Sequence, residues 1–219
     1  MIFASISYSN LLPFQIFIKK NISNTQIKQI AFYKKNVPSY INKKFLEKKV
    51  DAAFISSIKS QKAKCSNIGI IAHKKVYSVF VLKKREHKED KESNSSNILA
   101  QILNVHGEVI IGDKALKYYL KNKDEKLLDL AELWYEKTNL PFVFARLCFN
   151  KHNTTIQKLA NKFTKTKVKV PYFYLKKEAK KRGLSPKELQ WYLNHIYYKI
   201  GHKENRALKL FFKYARKIN

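Results

Sequence analysis

The chain has 219 residues, 45% of them hydrophobic, enough for one large or two modest α/β lobes and too apolar for global disorder. No stretch approaches the ~20 uninterrupted apolar residues of a membrane span, and no basic leader precedes the first strand pattern, so a cytoplasmic protein is expected. The net charge of +29 rests on lysine, with Arg85, Arg146, Arg182, Arg206 and Arg216 the only arginines; this argues against a dedicated nucleic-acid binder, which favours arginine forks, and for steering of small anions.

Residues 2–8 alternate as a strand, and Asn10-Leu11-Leu12-Pro13 turns the chain into a short helix near 12–19. A second strand is expected near 26–33. Pro38 then opens an amphipathic helix with Ile41, Phe45, Leu46 and Val50 on one face. Residues 51–55 are apolar on both faces, as in a parallel sheet, and Ser56 and Ser57 follow as N-cap residues of a short helix. Strands near 67–73 and 76–83 lead to the charged, serine-rich segment 84–96, which reads as the entry to a second lobe. Ser95-Ser96-Asn97 caps a helix to about Leu103, His106-Gly107 turns into a strand at 108–111, and Asp113 opens a helix to about Lys121. Leu127, Leu130, Leu133 and Trp134 have helical spacing over 127–138, and a strand at 142–149 leads back. Helices at 153–164, 171–181, 185–199 and 203–217 follow, with Ser185-Pro186-Lys187-Glu188 a capping box carrying proline at its first helical position. The pattern predicts a two-lobed, hinged α/β fold with terminal helices. Residues 1–80 and 149–219 would form one lobe and 81–148 the other, with crossings near 79–83 and 142–148 and the ligand in the cleft between.

Few of the usual chemical signatures are present. His73, His87, His106, His152, His195 and His202 are scattered without metal-binding spacing, and the 5 glycines form no phosphate loop, so neither metal nor nucleotide cofactor is expected. Cys65 and Cys148 read as buried, inert thiols. What remains is polar side chains at strand ends. Ser56, Ser57, Ser95 and Ser96 join hydroxyls to free N–H groups at helix starts, which suit carboxylates, or serve only as caps. Asn10 suits an Asx turn, and Asp113 either a helix cap or a pocket wall.

Tyr8-Ser9-Asn10-Leu11-Leu12-Pro13-Phe14, Asp51-Ala52-Ala53-Phe54-Ile55-Ser56-Ser57 and Ser78-Val79 form a specific combination. With it the chain resembles, over almost its whole length, the chorismate dehydratases of the futalosine route to menaquinone. Ser95-Ser96-Asn97, the run Ile110-Ile111-Gly112-Asp113-Lys114-Ala115-Leu116, Leu140-Pro141-Phe142-Val143-Phe144-Ala145 and Tyr192-Leu193-Asn194-His195-Ile196-Tyr197-Tyr198 continue the resemblance. It implies a type II periplasmic-binding-protein fold used as a cytoplasmic enzyme. The implied reaction converts chorismate to 3-[(1-carboxyvinyl)oxy]benzoate and water without a cofactor.

The resemblance implies that Asn10 and Ser78 stand at the reacting centre. Ser56, Ser57, Ser95 and Ser96 would hold two carboxylates, and Asp113 would belong to the pocket. Arg146, an arginine in an apolar strand, would bind a substrate carboxylate or pair with an acidic residue. No side chain is an obvious general base, which leaves the substrate's own enolpyruvyl carboxylate to take the proton. The rival readings are a sister-branch enzyme that cyclises dehypoxanthine futalosine and a module that only holds an anionic metabolite.

Overall fold

Phe3, Ala4 and Ile6 are buried along β1 (Phe3–Ile6), which lies between two parallel neighbours, β2 (Lys34–Asn36) and β3 (Ala52–Ser56). The structure, a computed structural model, describes residues 2–21, 34–83 and 85–218. The strand expected near 26–33 lies outside the described residues. A 3-10 turn (Ser9–Leu11) carries β1 into α1 (Leu12–Asn21), where Phe14 and Phe17 meet Phe54 and Phe163 in edge-to-face contacts at 5.0–5.1 Å. Proline opens α2 (Pro38–Leu46), which packs Ile41 and Phe45 against Ala4, Ala53 and Ile55. β3 is buried at every position, as a strand covered on both faces must be.

A four-residue 3-10 turn (Ser57–Ser60) leads to β4 (Cys65–Ala72), and the chain then passes to a second sheet. There β5 (Val79–Leu82) precedes α3 (Asn94–Ile102), β6 (Glu108–Ile111), α4 (Gly112–Lys121), β7 (Leu128–Asp129) and α5 (Leu130–Thr138). β5 is the middle strand, antiparallel to both neighbours. β8 (Phe142–Phe149) returns to the first sheet and runs antiparallel between β3 and β4. The helices α6 (Asn153–Lys165), α7 (Tyr172–Arg182) and α8 (Pro186–Leu193) follow. Finally β9 (Tyr197–Lys199) adds the edge and α9 (His202–Ile218) covers β8 through Phe211, 5.0 Å from Phe142. The larger sheet has the order β2-β1-β3-β8-β4-β9 and the smaller β6-β5-β7.

Several expectations need correction. β8 belongs to the larger sheet along its whole length, so the second passage between the sheets lies at 139–141 rather than within 142–148. The first lies at 73–78, ahead of β5, rather than at 79–83. The helix expected over 127–138 starts only at Leu130, because Leu128 and Asp129 pair with β5 and Asp129 caps the helix. The helix expected over 185–199 keeps its capping box but ends at Leu193, and Tyr197–Lys199 join β4 instead. Cys65 and Cys148 face each other across β4 and β8 and are joined as a disulfide rather than standing as two thiols.

Asp129 ties the smaller sheet to the passage that enters it. One carboxylate oxygen accepts from the Ala131 and Glu132 N–H groups at 2.9 and 3.3 Å, the other from Val76 and Tyr77 at 2.9 and 2.8 Å. Burial pushes this carboxyl up to about 7, against the opposing pull of the four N–H donors. Replacing Asp129 by Ala strands four donors in a buried setting, so urea unfolding should report a loss of about 2–4 kcal/mol. Asp129→Asn, which keeps one acceptor oxygen, should lose less than Asp129→Ala.

Candidate active site

The carboxyl ends of β1 and β3 lie side by side because the two strands are parallel neighbours, and open α/β sheets place ligands at such edges. Register extends this edge across the sheet: Ser56 is opposite Ala145, and Ala145 is opposite Ile70. Ser56, Ala145 and Ile70 line a small cavity, together with Tyr8 and Asn10 from the turn after β1. The facing wall comes from Ser78 at the end of the entering passage, Val79 and Ile111 of the smaller sheet and Gly112 at the start of α4, and α3 with its cap supplies Ser96 and Ser93. The enclosed space is about 50 Å³. A wider groove of about 630 Å³ opens elsewhere, beside Phe163, Lys167, Lys169 and Lys199, but contains none of the predicted site residues.

Asn10 and Ser78 meet at this cavity from the turn after β1 and the passage before β5. Asn10 sits in the 3-10 turn, and its backbone carbonyl accepts from the Tyr198 hydroxyl at 2.6 Å. Its Oδ1 is buried and has no hydrogen-bond partner. Ser78, 2% exposed, places its Oγ 2.9 Å from the hydroxyl oxygen of Tyr192, with either able to donate. Tyr192 is itself 1% exposed. Burial raises its phenol far above the ordinary range, while hydrogen bonds from Ser78 and Asn10 pull in the other direction.

The predicted serines divide into two pairs. Ser56 lines the cavity; its Oγ accepts from the Asn42 amide at 2.8 Å, leaving its own hydrogen free to turn. Ser96 also lines it, hydrogen-bonded at 2.8 Å to Ser93. Ser57 and Ser95 do not reach the cavity wall. The Ser57 hydroxyl donates to the Val143 carbonyl at 2.5 Å, and the Ser95 Oγ accepts from the Ile58 N–H at 3.1 Å, stitching the turn after β3 to α3. The cap of α3 is Ser93, whose Oγ accepts from the Ser96 N–H at 3.2 Å, rather than Ser95 or Ser96.

Asp113 is drawn away from the cavity. Its carboxylate accepts from the Ser9 hydroxyl and N–H and from Arg182 Nε, the last at 2.7 Å. Arg182 also donates to the Ser7 carbonyl at 2.9 Å and to Glu178 at 2.5 Å. Burial opposes the Arg182 charge, but Asp113 and Glu178 outweigh it and raise its pKa. Asp113 is therefore part of a link between the smaller sheet, the turn after β1 and α7. Arg146 has no acidic partner among the described residues. It reaches only Ser60 at 3.4 Å, its Nε is buried without a partner, and burial lowers its pKa.

Sequence reasoning missed Tyr8, Ser93 and Tyr192. Tyr8 lines the cavity and donates its hydroxyl to the Glu92 carboxylate; burial, then this bond, pushes the phenol well up, so it stays a neutral donor. The Tyr8 ring lies on Gly112, where an added Cβ would fall 2.7 Å from ring carbons. Tyr8 stood in the strand-end motif, and the Ser93-Asn94-Ser95-Ser96 spacing offered Ser93 as an alternative cap. Tyr192 stood in the terminal run that carries the resemblance, but nothing in that run showed that its hydroxyl reaches Ser78. Among the described residues no group of three or more His, Cys, Asp or Glu is placed to hold a metal ion.

A family model described as menaquinone biosynthesis matches residues 1–107 and 93–217. The chorismate dehydratase of Campylobacter jejuni subsp. jejuni serotype O:23/36 (strain 81-176) is 46% identical over 222 residues, covering 100% of this chain and 99% of that protein. The chorismate dehydratase of Thermus thermophilus is 27% identical over 124 residues, or 48% of this chain and 45% of that protein. Among solved structures, a protein from Archaeoglobus fulgidus superposes with a TM-score of 0.68 at 12% identity, covering 99% of this chain and 97% of that one. The periplasmic aliphatic sulphonate binding protein of Escherichia coli superposes with a TM-score of 0.55 at 12% identity, covering 100% and 92%. At such identities the likeness concerns the fold alone, and the fold is periplasmic-binding-protein-like, as the family resemblance implied.

Gly112 has φ of +67° as well as the Tyr8 ring against it. Gly112→Ala should therefore cost about 1–3 kcal/mol in a thermal melt and displace Tyr8 from the cavity wall, read as a change in tyrosine fluorescence or near-UV circular dichroism.

Proposed function

The chain belongs to the menaquinone-biosynthesis family, and from that premise we propose that it is a chorismate dehydratase: a cytoplasmic hydro-lyase that needs no cofactor. The full-length identity to the Campylobacter jejuni protein named for this activity supports the reading. Within the site, the observation that carries it is the unpaired, buried Oδ1 of Asn10 at a cavity that also presents Ser78. A buried polar atom without a partner costs stability unless a ligand uses it.

In the proposed reaction the C3 proton passes to the substrate's enolpyruvyl carboxylate, and the C4 hydroxyl then departs, taking that proton back to leave as water. The electron pair of the broken C–H bond is first delocalised toward the ring carboxylate. Departure of the hydroxyl then makes the ring aromatic, which supplies the driving force. The protein's task is to orient the ring and offer dipoles where charge moves. Asn10 and Ser78 are the groups we assign to the reacting centre. Ser56 and Ser96, with Ser93 behind Ser96, are assigned to the carboxylates. Ser57, Ser95 and Asp113 support the wall from outside the cavity, and Arg146 contributes positive potential without contact.

The described side chains lining the cavity include no carboxylate, histidine or lysine. That composition supports the substrate's enolpyruvyl carboxylate as proton acceptor. The enclosed 50 Å³ is smaller than a ring dicarboxylate, so the two walls must part for entry. The periplasmic-binding-protein-like fold supports such a hinge, and it also favours a second reading, a module that holds the anion without consuming it.

Incubation with chorismate, followed by mass spectrometry and ultraviolet absorbance, separates the two. Turnover at catalytic protein concentration, with loss of one water, a new benzoate band and no effect of chelator, is expected. Saturable binding without conversion would favour the holding module. Asn10→Ala should lower kcat by about a hundredfold or more with the fold intact by circular dichroism. Full activity in that variant would remove Asn10 from the reacting centre.

A further inference from the structure

Asn10 stands in the turn after β1 and Ser78 in the passage before β5, and both line the cavity. The Tyr192 Oη is 2.9 Å from Ser78 Oγ, and either can donate. When the buried phenol donates, Ser78 Oγ accepts and keeps its own hydrogen for the cavity it lines. The Asn10 Oδ1, buried without a partner, is an acceptor at the same cavity. The second tyrosine of this segment, Tyr198, holds the Asn10 backbone carbonyl at 2.6 Å.

We propose that Tyr192 is a positioning residue that donates to Ser78 and so turns the Ser78 hydroxyl into the cavity, where it and the Asn10 Oδ1 form a donor–acceptor pair matched to a single hydroxyl group of the substrate. A substrate hydroxyl donates to Asn10 Oδ1 and accepts from Ser78, satisfying the unpaired oxygen and steadying the leaving oxygen as its bond to carbon breaks. A carboxylate in the same place would meet the acceptor oxygen of Asn10 and be repelled. The inference rests on the dehydratase reading, in which the group that departs is a hydroxyl. No proton ends on Tyr192, whose buried phenol stays neutral; its role is to hold the hydrogen-bond polarity in one direction.

The test compares Tyr192→Phe, Ser78→Ala and the double variant with chorismate as substrate. Tyr192→Phe should lower kcat about 10- to 100-fold with KM changed less than about twofold, because the carboxylate contacts are untouched while the leaving oxygen loses its oriented donor. Since Tyr192 acts through Ser78, the double variant should be no slower than Ser78→Ala alone. Wild-type kcat in a folded Tyr192→Phe protein, or losses that multiply in the double variant, would overturn the proposal. If Tyr192→Phe does not fold, 3,5-difluorotyrosine at position 192 keeps the hydroxyl and makes it more acidic. A kcat that moves with this acidity supports the assignment, and an unchanged kcat overturns it. Absence of turnover in the wild-type protein would instead strike the dehydratase reading itself, so the two failures are distinguishable.

Discussion

The placement of β8 governs the rest of the molecule. This strand comes late in the chain but pairs on both sides in the middle of the larger sheet, with β3 and β4. Its return forces everything between β4 and β8 to be an insertion connected by two passages, at 73–78 and 139–141. The same pairing puts Ser56, Ala145 and Ile70 in one row at the sheet edge, which is one wall of the cavity. A one-residue slip in β8 would turn its side chains to the opposite face and dismantle that wall. The inserted sheet then needs a fixed approach to the edge, and Asp129 provides it by binding the entering passage and the start of α5 with one carboxylate.

Polar contacts between the two sheets fall into two kinds. Asp113 with Ser9 and Arg182, and Ser95 with the Ile58 N–H, are satisfied within the protein and hold the walls together. Asn10 Oδ1 is not satisfied, and it sits at the cavity. This division separates contacts that hold the walls from a group left open to a ligand more clearly than residue type does, since serine and carboxylate side chains were candidates for both. Ser57 and Ser95 stand one residue from Ser56 and Ser96, and that single step changes whether the hydroxyl faces backbone or cavity.

Much of the fold was legible because its signals are local. The apolar runs of β3, β6 and β8 end in polar residues, and the Ser185 box begins α8 as its spacing required. The errors fell where a short strand abuts a helix without glycine or proline between them. Leu127 through Trp134 has helical spacing, yet Leu128 and Asp129 are held by β5, and only the tertiary pairing reveals that Asp129 is a cap. Tyr197–Lys199 likewise leaves the pattern of α8 for an edge position beside β4. That Asn10 and Ser78 line one cavity agrees with their place in the strand-end motifs. The contact of Tyr192 was not legible, because a buried aromatic on a helix has the same sequence signature whether its hydroxyl is idle or bonded to Ser78. The pairing of Cys65 with Cys148, 83 residues apart, depended on strand register in the same way.

The contrast between a chain of charge +29 and a cavity whose described lining is uncharged has a physical logic under the proposed reaction. Lysines on the outside raise the encounter rate of a dianion over distances comparable to the screening length. A lysine inside, against the enolpyruvyl carboxylate, would stabilise its ionised form and lower its basicity, weakening the group that must take the proton. Dipoles at the start of α3 and hydroxyls such as Ser56 and Ser96 hold a carboxylate with smaller effect on its proton affinity than a full charge. Arg146 fits the same proposal: half-buried on β8, without an acidic partner among the described residues and off the cavity wall, it would lend positive potential without a direct ion pair. Under that proposal the long-range charge that would gather the substrate is kept apart from the neutral surface on which it would react, which leaves the substrate's own carboxylate basic enough to take the proton.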